Sequence, residues 1–276
     1  MTTVIAVSGK GGTGKTTLSA LVTRYLIDEG LKPVLAVDAD SNSNLDVVLG
    51  VDMKATIGGV REDMSEKVQK QQLPAGMSKQ DLLEMQIEQA LVETHDFDLI
   101  SMGRPEGPGC YCAVNNMLRV FLDRLEEHYR FVVVDNEAGM EHLSRRTTRG
   151  VDLMFIVSDP SRRGLDTAVR IRDLARELKL GVRRVYLVIS RVRGSLEGPL
   201  ADAVESLDIE LAGVVPDDQE ITRLEENGEP LTGLGADSEA RRSVREMMES
   251  VLPGVKGEMY MEGPLAGFID QLASSS

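Results

Sequence analysis

Gly9-Lys10-Gly11-Gly12-Thr13-Gly14-Lys15-Thr16 is the stretch that decides the fold. Its frame, G-x-x-x-x-G-K-T, is that of a phosphate-binding P-loop. Glycines let the backbone fold into a nest whose N–H groups point at phosphate oxygens. In that frame Lys15 reaches the β- and γ-phosphates, and the Thr16 hydroxyl ligates Mg2+. Gly11, Gly12, Thr13, Gly14 and Thr17 complete the expected cradle. The flanks agree with this reading. Residues 3–7 are a short apolar run, as a buried strand should be. Leu18, Leu21, Val22, Tyr25 and Leu26 then recur at helical spacing. The loop therefore leads from a strand into a helix N-terminus, where the helix dipole favours an anion. Lys10 lies too early in the loop to repeat the work of Lys15.

Outward from the loop, apolar strand-like runs alternate with helical patterns. The strand candidates are 4–7, 34–37, 99–102, 131–134, 153–157, 185–189 and 211–215. Most are apolar throughout, as parallel strands covered on both faces should be. Helical patterns fall at 16–29, 115–128, 164–178 and 199–206. The expectation is an α/β fold with a doubly wound, mostly parallel sheet and helices on both faces, in one domain over 1–276. Segment 50–94 departs from the alternation. Met53, Met64, Met77 and Met85 sit there among polar residues, with Pro74 and Gly76 as a break. It reads as a helical insertion, partly exposed and mobile, whose methionines are packing filler or an adaptable binding surface.

Composition narrows the partners. A chain of 276 residues is long enough for a well-buried core. No apolar run approaches the length of a membrane span, and no leader of the secretory form precedes the first strand. The expectation is a cytoplasmic protein. The net charge of −14 disfavours nonspecific nucleic-acid binding. The best basic cluster, Arg145, Arg146 and Arg149 followed by Arg162 and Arg163, reads as solvated or interface charge. The C-terminal stretch 263–272 has no basic face of the kind a membrane-surface helix uses. Neither nucleic acid nor membrane is expected as a partner.

Two further stretches carry carboxylates. Residues 34–40 end a strand with Asp38 and Asp40. Strand ends beside a phosphate loop face the nucleotide, because such sheets bind ligands at the carboxyl ends of their strands. Residues 131–139 read Phe-Val-Val-Val-Asp135-Asn-Glu-Ala-Gly139. Four apolar residues deliver Asp135 to the Mg2+ water shell. Ala138-Gly139 lets the backbone approach a γ-phosphate and move once it leaves.

The loop 9–16, with its early lysine, resembles that of the deviant Walker A ATPases, a group that includes ParA, MinD, ArsA and the nitrogenase iron protein. That resemblance implies ATP and ADP as nucleotides. It implies that Lys10 reaches a partner's nucleotide across the interface of an ATP-bound homodimer. Residues 40–45, Asp-Ser-Asn-Ser-Asn-Leu, resemble the group's first switch. Asp40 would then orient the attacking water, and Asp38 would support it. Relatives carry Thr-Pro or Ser-Pro where this chain has Asn136-Glu137. The strand–Pro–x–Asp turn that binds adenine is matched at Pro216 and Asp217. The group favours Asn after the preceding strand, where this chain has Ser190, a shorter side chain with a single donor.

The only two cysteines are Cys110 and Cys112, one residue apart. A disulfide across one residue would be a strained, tiny ring, so metal or redox chemistry is the better reading. Gly107-Pro108-Gly109 sets a tight loop before the 114–128 helical pattern, and thiols at a helix N-terminus ionise more readily. One such pair supplies two sulfurs, whereas a closed tetrahedral site needs four. A symmetric dimer would complete a four-cysteine site on its two-fold axis. The spacing does not choose between nickel, zinc and a bridging iron–sulfur cluster. Buried structural cysteines remain the plain alternative. His95, His128 and His142 read as surface or capping residues.

Taken together, 9–16, Arg104-Pro-Glu-Gly-Pro-Gly-Cys-Tyr-Cys112, Asn115-Asn116 and 135–139 resemble the CooC family of accessory ATPases. That resemblance implies nickel insertion into carbon monoxide dehydrogenase, with 103–116 as the metal-binding loop. Ni2+ would be the cargo, Zn2+ its competitor, and the apo-enzyme the client. Maturation of acetyl-CoA synthase and electron transfer in the manner of the nitrogenase iron protein stand as the other readings. A positioning ATPase on DNA or membrane is a third.

Overall fold

The computed structural model describes residues 2–40, 44–70, 76, 78–103, 125, 127–137 and 150–253. Eight strands form one sheet in the order β3-β4-β2-β5-β1-β6-β7-β8. They are β1 (Thr3–Gly9), β2 (Val34–Ala39), β3 (Val92–Glu93), β4 (Asp98–Ser101), β5 (Phe131–Asn136), β6 (Leu153–Ser158), β7 (Arg184–Val192) and β8 (Glu210–Pro216). All neighbours pair in parallel except β3, which runs antiparallel to β4 at one edge. Strands β2, β4, β5 and β6 are buried along their whole length. That explains why they read as continuous apolar runs.

Strand side chains alternate between faces, and β1 shows this directly. Ile5 and Val7 join one core layer, with Leu18, Leu21, Val22 and Leu26 of α1 (Lys15–Asp28). Val4 and Ala6 join the other layer. That second layer receives α3 (Ile57–Gln69), α4 (Lys79–Ala90), α5 (Arg162–Glu177) and α6 (Pro199–Glu205). A short α2 (Leu45–Leu49) lies on the α1 side. So do α7 (Gln219–Asn227) and α8 (Glu239–Val251).

Among its described residues segment 50–94 carries α3 and α4, and their apolar sides are core. Thr56 caps α3 by accepting from Gly59 N at 3.1 Å. Ser78 and Asp81 form a reciprocal capping box at the start of α4. Ile57, Val60, Met64, Leu82, Leu83 and Ile87 are buried against the sheet, while Met85 is exposed. Met64 is thus packing filler. The expected 115–128 helix falls almost wholly outside the described residues, as does the loop bearing Cys110 and Cys112.

Spacing alone singles out neither α7 nor α8, and α8 is the longer of the two. Ala240, Val244, Met247, Met248 and Val251 line its buried side. Arg241, at the edge of that side, pairs with Asp28 at the end of α1, at 2.7 Å. Arg245 pairs with Glu29 and lies over the Tyr25 ring, 5.9 Å from its centroid. Among the described residues no helix is long and apolar enough to cross a membrane.

Candidate nucleotide site

The loop joining β1 to α1 is shaped by three glycines. A Cβ on Gly9 would lie 2.4 Å from the Val157 carbonyl oxygen, so only glycine lets β1 end this close to β6. Gly12 and Gly14 have φ of 80° and 83°, in the left-handed region that glycine adopts without strain. Thr13 N and Oγ1 both donate to the Lys10 carbonyl, at 3.4 and 2.8 Å. Lys15 is buried, and its ammonium lies 3.5 Å from the same carbonyl. The turn therefore closes on itself directly before the α1 amino terminus, whose N-cap is Gly14. Space beside Gly11 and Gly12 is clear for 4 Å. Such a cradle fits a chain of phosphates held by backbone N–H groups and one buried ammonium.

Behind the cradle stand two buried carboxylates. Asp38 on β2 and Asp135 on β5 are register partners, and both are almost wholly inaccessible. Asp135 Oδ1 accepts from Ser19 Oγ at 3.2 Å, and the Thr16 hydroxyl also bonds to this carboxylate. Burial pushes the Asp135 carboxyl up to about 6, and Asp38 adds to the rise. The Thr16 and Ser19 hydroxyls and the Lys15 ammonium oppose it. A divalent cation here would relieve two crowded carboxylates at once. The donor set, one hydroxyl and carboxylate oxygens, suits Mg2+ that keeps several waters and phosphate oxygens. Among the described residues no group of three or more His, Cys, Asp or Glu side chains stands ready to hold a metal unaided.

Asp38 has a second task. Its two oxygens accept from Asp40 N at 3.0 Å and Leu45 N at 3.1 Å. Both ends of the segment resembling the first switch are thereby tied to one fixed carboxylate. Burial raises the Asp38 carboxyl, and these two backbone bonds pull against the rise. Asn136 likewise ties β5 to β1, donating from Nδ2 to the Val7 carbonyl at 3.0 Å. The Asn136 tie spans two strands 129 residues apart in the chain, so nothing in local spacing announces it.

Beside the cradle a cleft of about 690 Å³ runs between α1, the end of β7 and the end of β8. Gly14, Thr17, Ser190, Pro216, Asp217 and Glu225 are on its walls. It has the size and place for a nucleoside. Two polar residues on its walls hold partners of their own. Asp217 is held by Arg193 at 2.7 Å, and Ser190 Oγ donates to the Thr13 carbonyl at 2.5 Å. Glu225, not anticipated from the sequence, accepts from the Thr17 hydroxyl at 3.2 Å.

The structure thus brings Lys15, Thr16, Thr17, Asp38 and Asp135 to one place, with Pro216 and Asp217 at the cleft. Lys10 is exposed, and Asp40 is half-buried just after β2. Ala138, Gly139, His142, Arg145, Arg146 and Arg149 lie outside the described residues. His95 is exposed beside Asp96, and Arg162 and Arg163 are exposed at the start of α5.

A phosphate loop after the central strand, a buried lysine and a carboxylate pair define a P-loop ATPase on a doubly wound sheet. The chain belongs to the CobQ/CobB/MinD/ParA nucleotide binding domain family (CbiA), whose model matches residues 4–231. It is 44% identical over 249 residues to an uncharacterised ATP-binding protein of Methanocaldococcus jannaschii, covering 90% of this chain and 98% of that one. It is 31% identical over 234 residues to the carbon monoxide dehydrogenase accessory protein CooC of Rhodospirillum rubrum, covering 81% of this chain and 87% of that protein. In fold it is similar to the septum site-determining protein MinD of Pyrococcus horikoshii, solved with Mg-ADP. The TM-score is 0.67 at 23% identity, over 94% of this chain and 100% of that one.

Proposed function

We propose that this chain is an ATP-driven nickel-insertion factor for carbon monoxide dehydrogenase. Two copies, joined around ATP, share one Ni2+ held by Cys110 and Cys112 of each. The observation that carries this reading is the likeness to CooC over most of both chains. The paired thiols of Cys110 and Cys112 support it.

The residues divide the work as follows. The cradle N–H groups and Lys15 hold the phosphates. Thr16 and Asp135 hold Mg2+, which neutralises charge on the β- and γ-phosphate oxygens. Asp40 orients the attacking water. Lys10, which is exposed, reaches the partner's nucleotide and joins the two copies. Asp38 relays the state of the site, because it anchors both Asp40 and Leu45. After hydrolysis the 40–45 segment relaxes, the copies part, and two thiolates per chain no longer close a tetrahedral site. Zn2+ competes, since thiolate ligands do not exclude it.

The test is transfer of radioactive nickel from the ATP-loaded protein to apo carbon monoxide dehydrogenase. Transfer that requires ATP hydrolysis and fails with Cys112→Ala supports the reading. Transfer to apo acetyl-CoA synthase alone would reassign the client. A brown protein with cluster absorbance after anaerobic purification would favour electron transfer instead.

A further inference from the structure

The end of β7 contains an extra residue. Ile189 pairs with Val214 and Val192 pairs with Pro216, so three steps along β7 match two along β8. Such a bulge bends a strand and re-aims a side chain, and bulges gather beside active sites. Arg191, inside it, has φ of 57°, a left-handed conformation that an arginine adopts only at a cost. What the bulge achieves is visible one residue earlier. Ser190 is buried, and its hydroxyl is turned across β6 onto the P-loop. It donates to the Thr13 carbonyl at 2.5 Å, with the Ser158 carbonyl a second, longer acceptor at 3.3 Å. Thr13 precedes Gly14, the left-handed residue from which α1 springs.

We infer that Ser190 is a positioning residue for the phosphate cradle and not a reader of the nucleobase. A serine hydroxyl carries one hydrogen, and here that hydrogen is committed to Thr13. The bond fixes the plane of the Thr13–Gly14 peptide, and with it the direction in which the Gly14 N–H points. The strained backbone at Arg191 is the device that delivers the hydroxyl to the loop. Ser190 therefore acts on whatever binds through its phosphates, whichever base it carries. The inference concerns nucleotide binding alone and is independent of the nickel reading.

The experiment measures binding of inorganic tripolyphosphate, Mg-ADP and Mg-GDP to the full chain by calorimetry. The proteins compared are wild type, Ser190→Ala and Ser190→Cys. Cysteine is somewhat larger, fills the site that alanine would leave empty and donates only weakly, so it covers the case in which alanine fails to fold. The expected result is a loss of about 5- to 10-fold for tripolyphosphate, the size of one net hydrogen bond. The same factor is expected for ADP and GDP, leaving their ratio unchanged. A folded variant that binds tripolyphosphate like wild type would overturn the inference. So would one whose ADP-to-GDP ratio shifts while tripolyphosphate binding holds.

Discussion

Asp38 and Asp135 face one another across β2 and β5 as register partners, two carboxylates buried behind one phosphate loop. Neither has a basic side chain as a hydrogen-bond partner among the described contacts; their partners are backbone N–H groups and hydroxyls. The arrangement costs stability in the empty protein and suits a site that receives a cation with its nucleotide.

Replacing Asp135 with Asn should therefore separate stability from activity. The apo protein should gain roughly 1–3 kcal/mol, because a crowded buried charge is removed. Mg2+-dependent ATP hydrolysis should fall by orders of magnitude. Thermal melts of the apo protein and a phosphate-release assay check both halves. A variant that melts lower than wild type would contradict the account.

Gly9→Ala should damage the site through the sheet. Its Cβ would meet the Val157 carbonyl oxygen at 2.4 Å, and backbone on β6 does not yield cheaply. A loss of about 2–4 kcal/mol in denaturant unfolding is expected. Weakened ADP binding should accompany it. Unchanged unfolding would mean that β1 and β6 are not so closely apposed.

The pair Asp98–Tyr129, away from the nucleotide, offers a test by pH. Tyr129 donates its hydroxyl to Asp98 Oδ2 at 2.6 Å. Burial raises the Asp98 carboxyl, although the Tyr129 and Thr94 bonds pull it down. A carboxyl that holds its proton more tightly when folded contributes stability below its unfolded value. That contribution is lost as pH rises through the folded value. Asp98→Asn stays neutral and still accepts from Tyr129. The difference in melting temperature, variant minus wild type, should therefore grow from pH 4 toward pH 7. A constant difference would contradict the burial of a raised carboxyl here.

Much of this was legible in the sequence. The central strands are buried on both faces and so announce themselves as apolar runs. The P-loop is a contiguous motif, and its glycines are needed where the motif puts them. Helix α8 was harder to see. Its apolar positions alternate with Arg241, Arg242 and Arg245, and two of these arginines serve α1 through Asp28 and Glu29. The Met-rich 50–94 segment looked peripheral because its polar residues outnumber the core-facing ones, although Met64 and Ile87 are fully buried. Side-chain partners were the least legible. Ser190 finds Thr13 177 residues away, and Asp135 finds Ser19 across 116. Such pairs follow from strand order and a bulge, which local spacing does not encode.

Lys10 and Lys15 should behave differently although five residues apart. Lys15→Ala should lose ATP binding outright, since its buried ammonium is part of the cradle. Lys10→Ala should bind ATP as a monomer yet fail to dimerise and hydrolyse. Binding by equilibrium dialysis and mass by light scattering distinguish the two. Loss of ATP binding in both would place Lys10 in its own site and remove its role between copies.

The shared metal site is tested most directly by nickel stoichiometry measured together with molar mass. The ATP-loaded protein is titrated with Ni2+ and passed over a sizing column with light scattering. The account predicts one nickel per two chains, found only in the dimer and lost with Cys112→Ala. One nickel per chain in a species of monomer mass would contradict it.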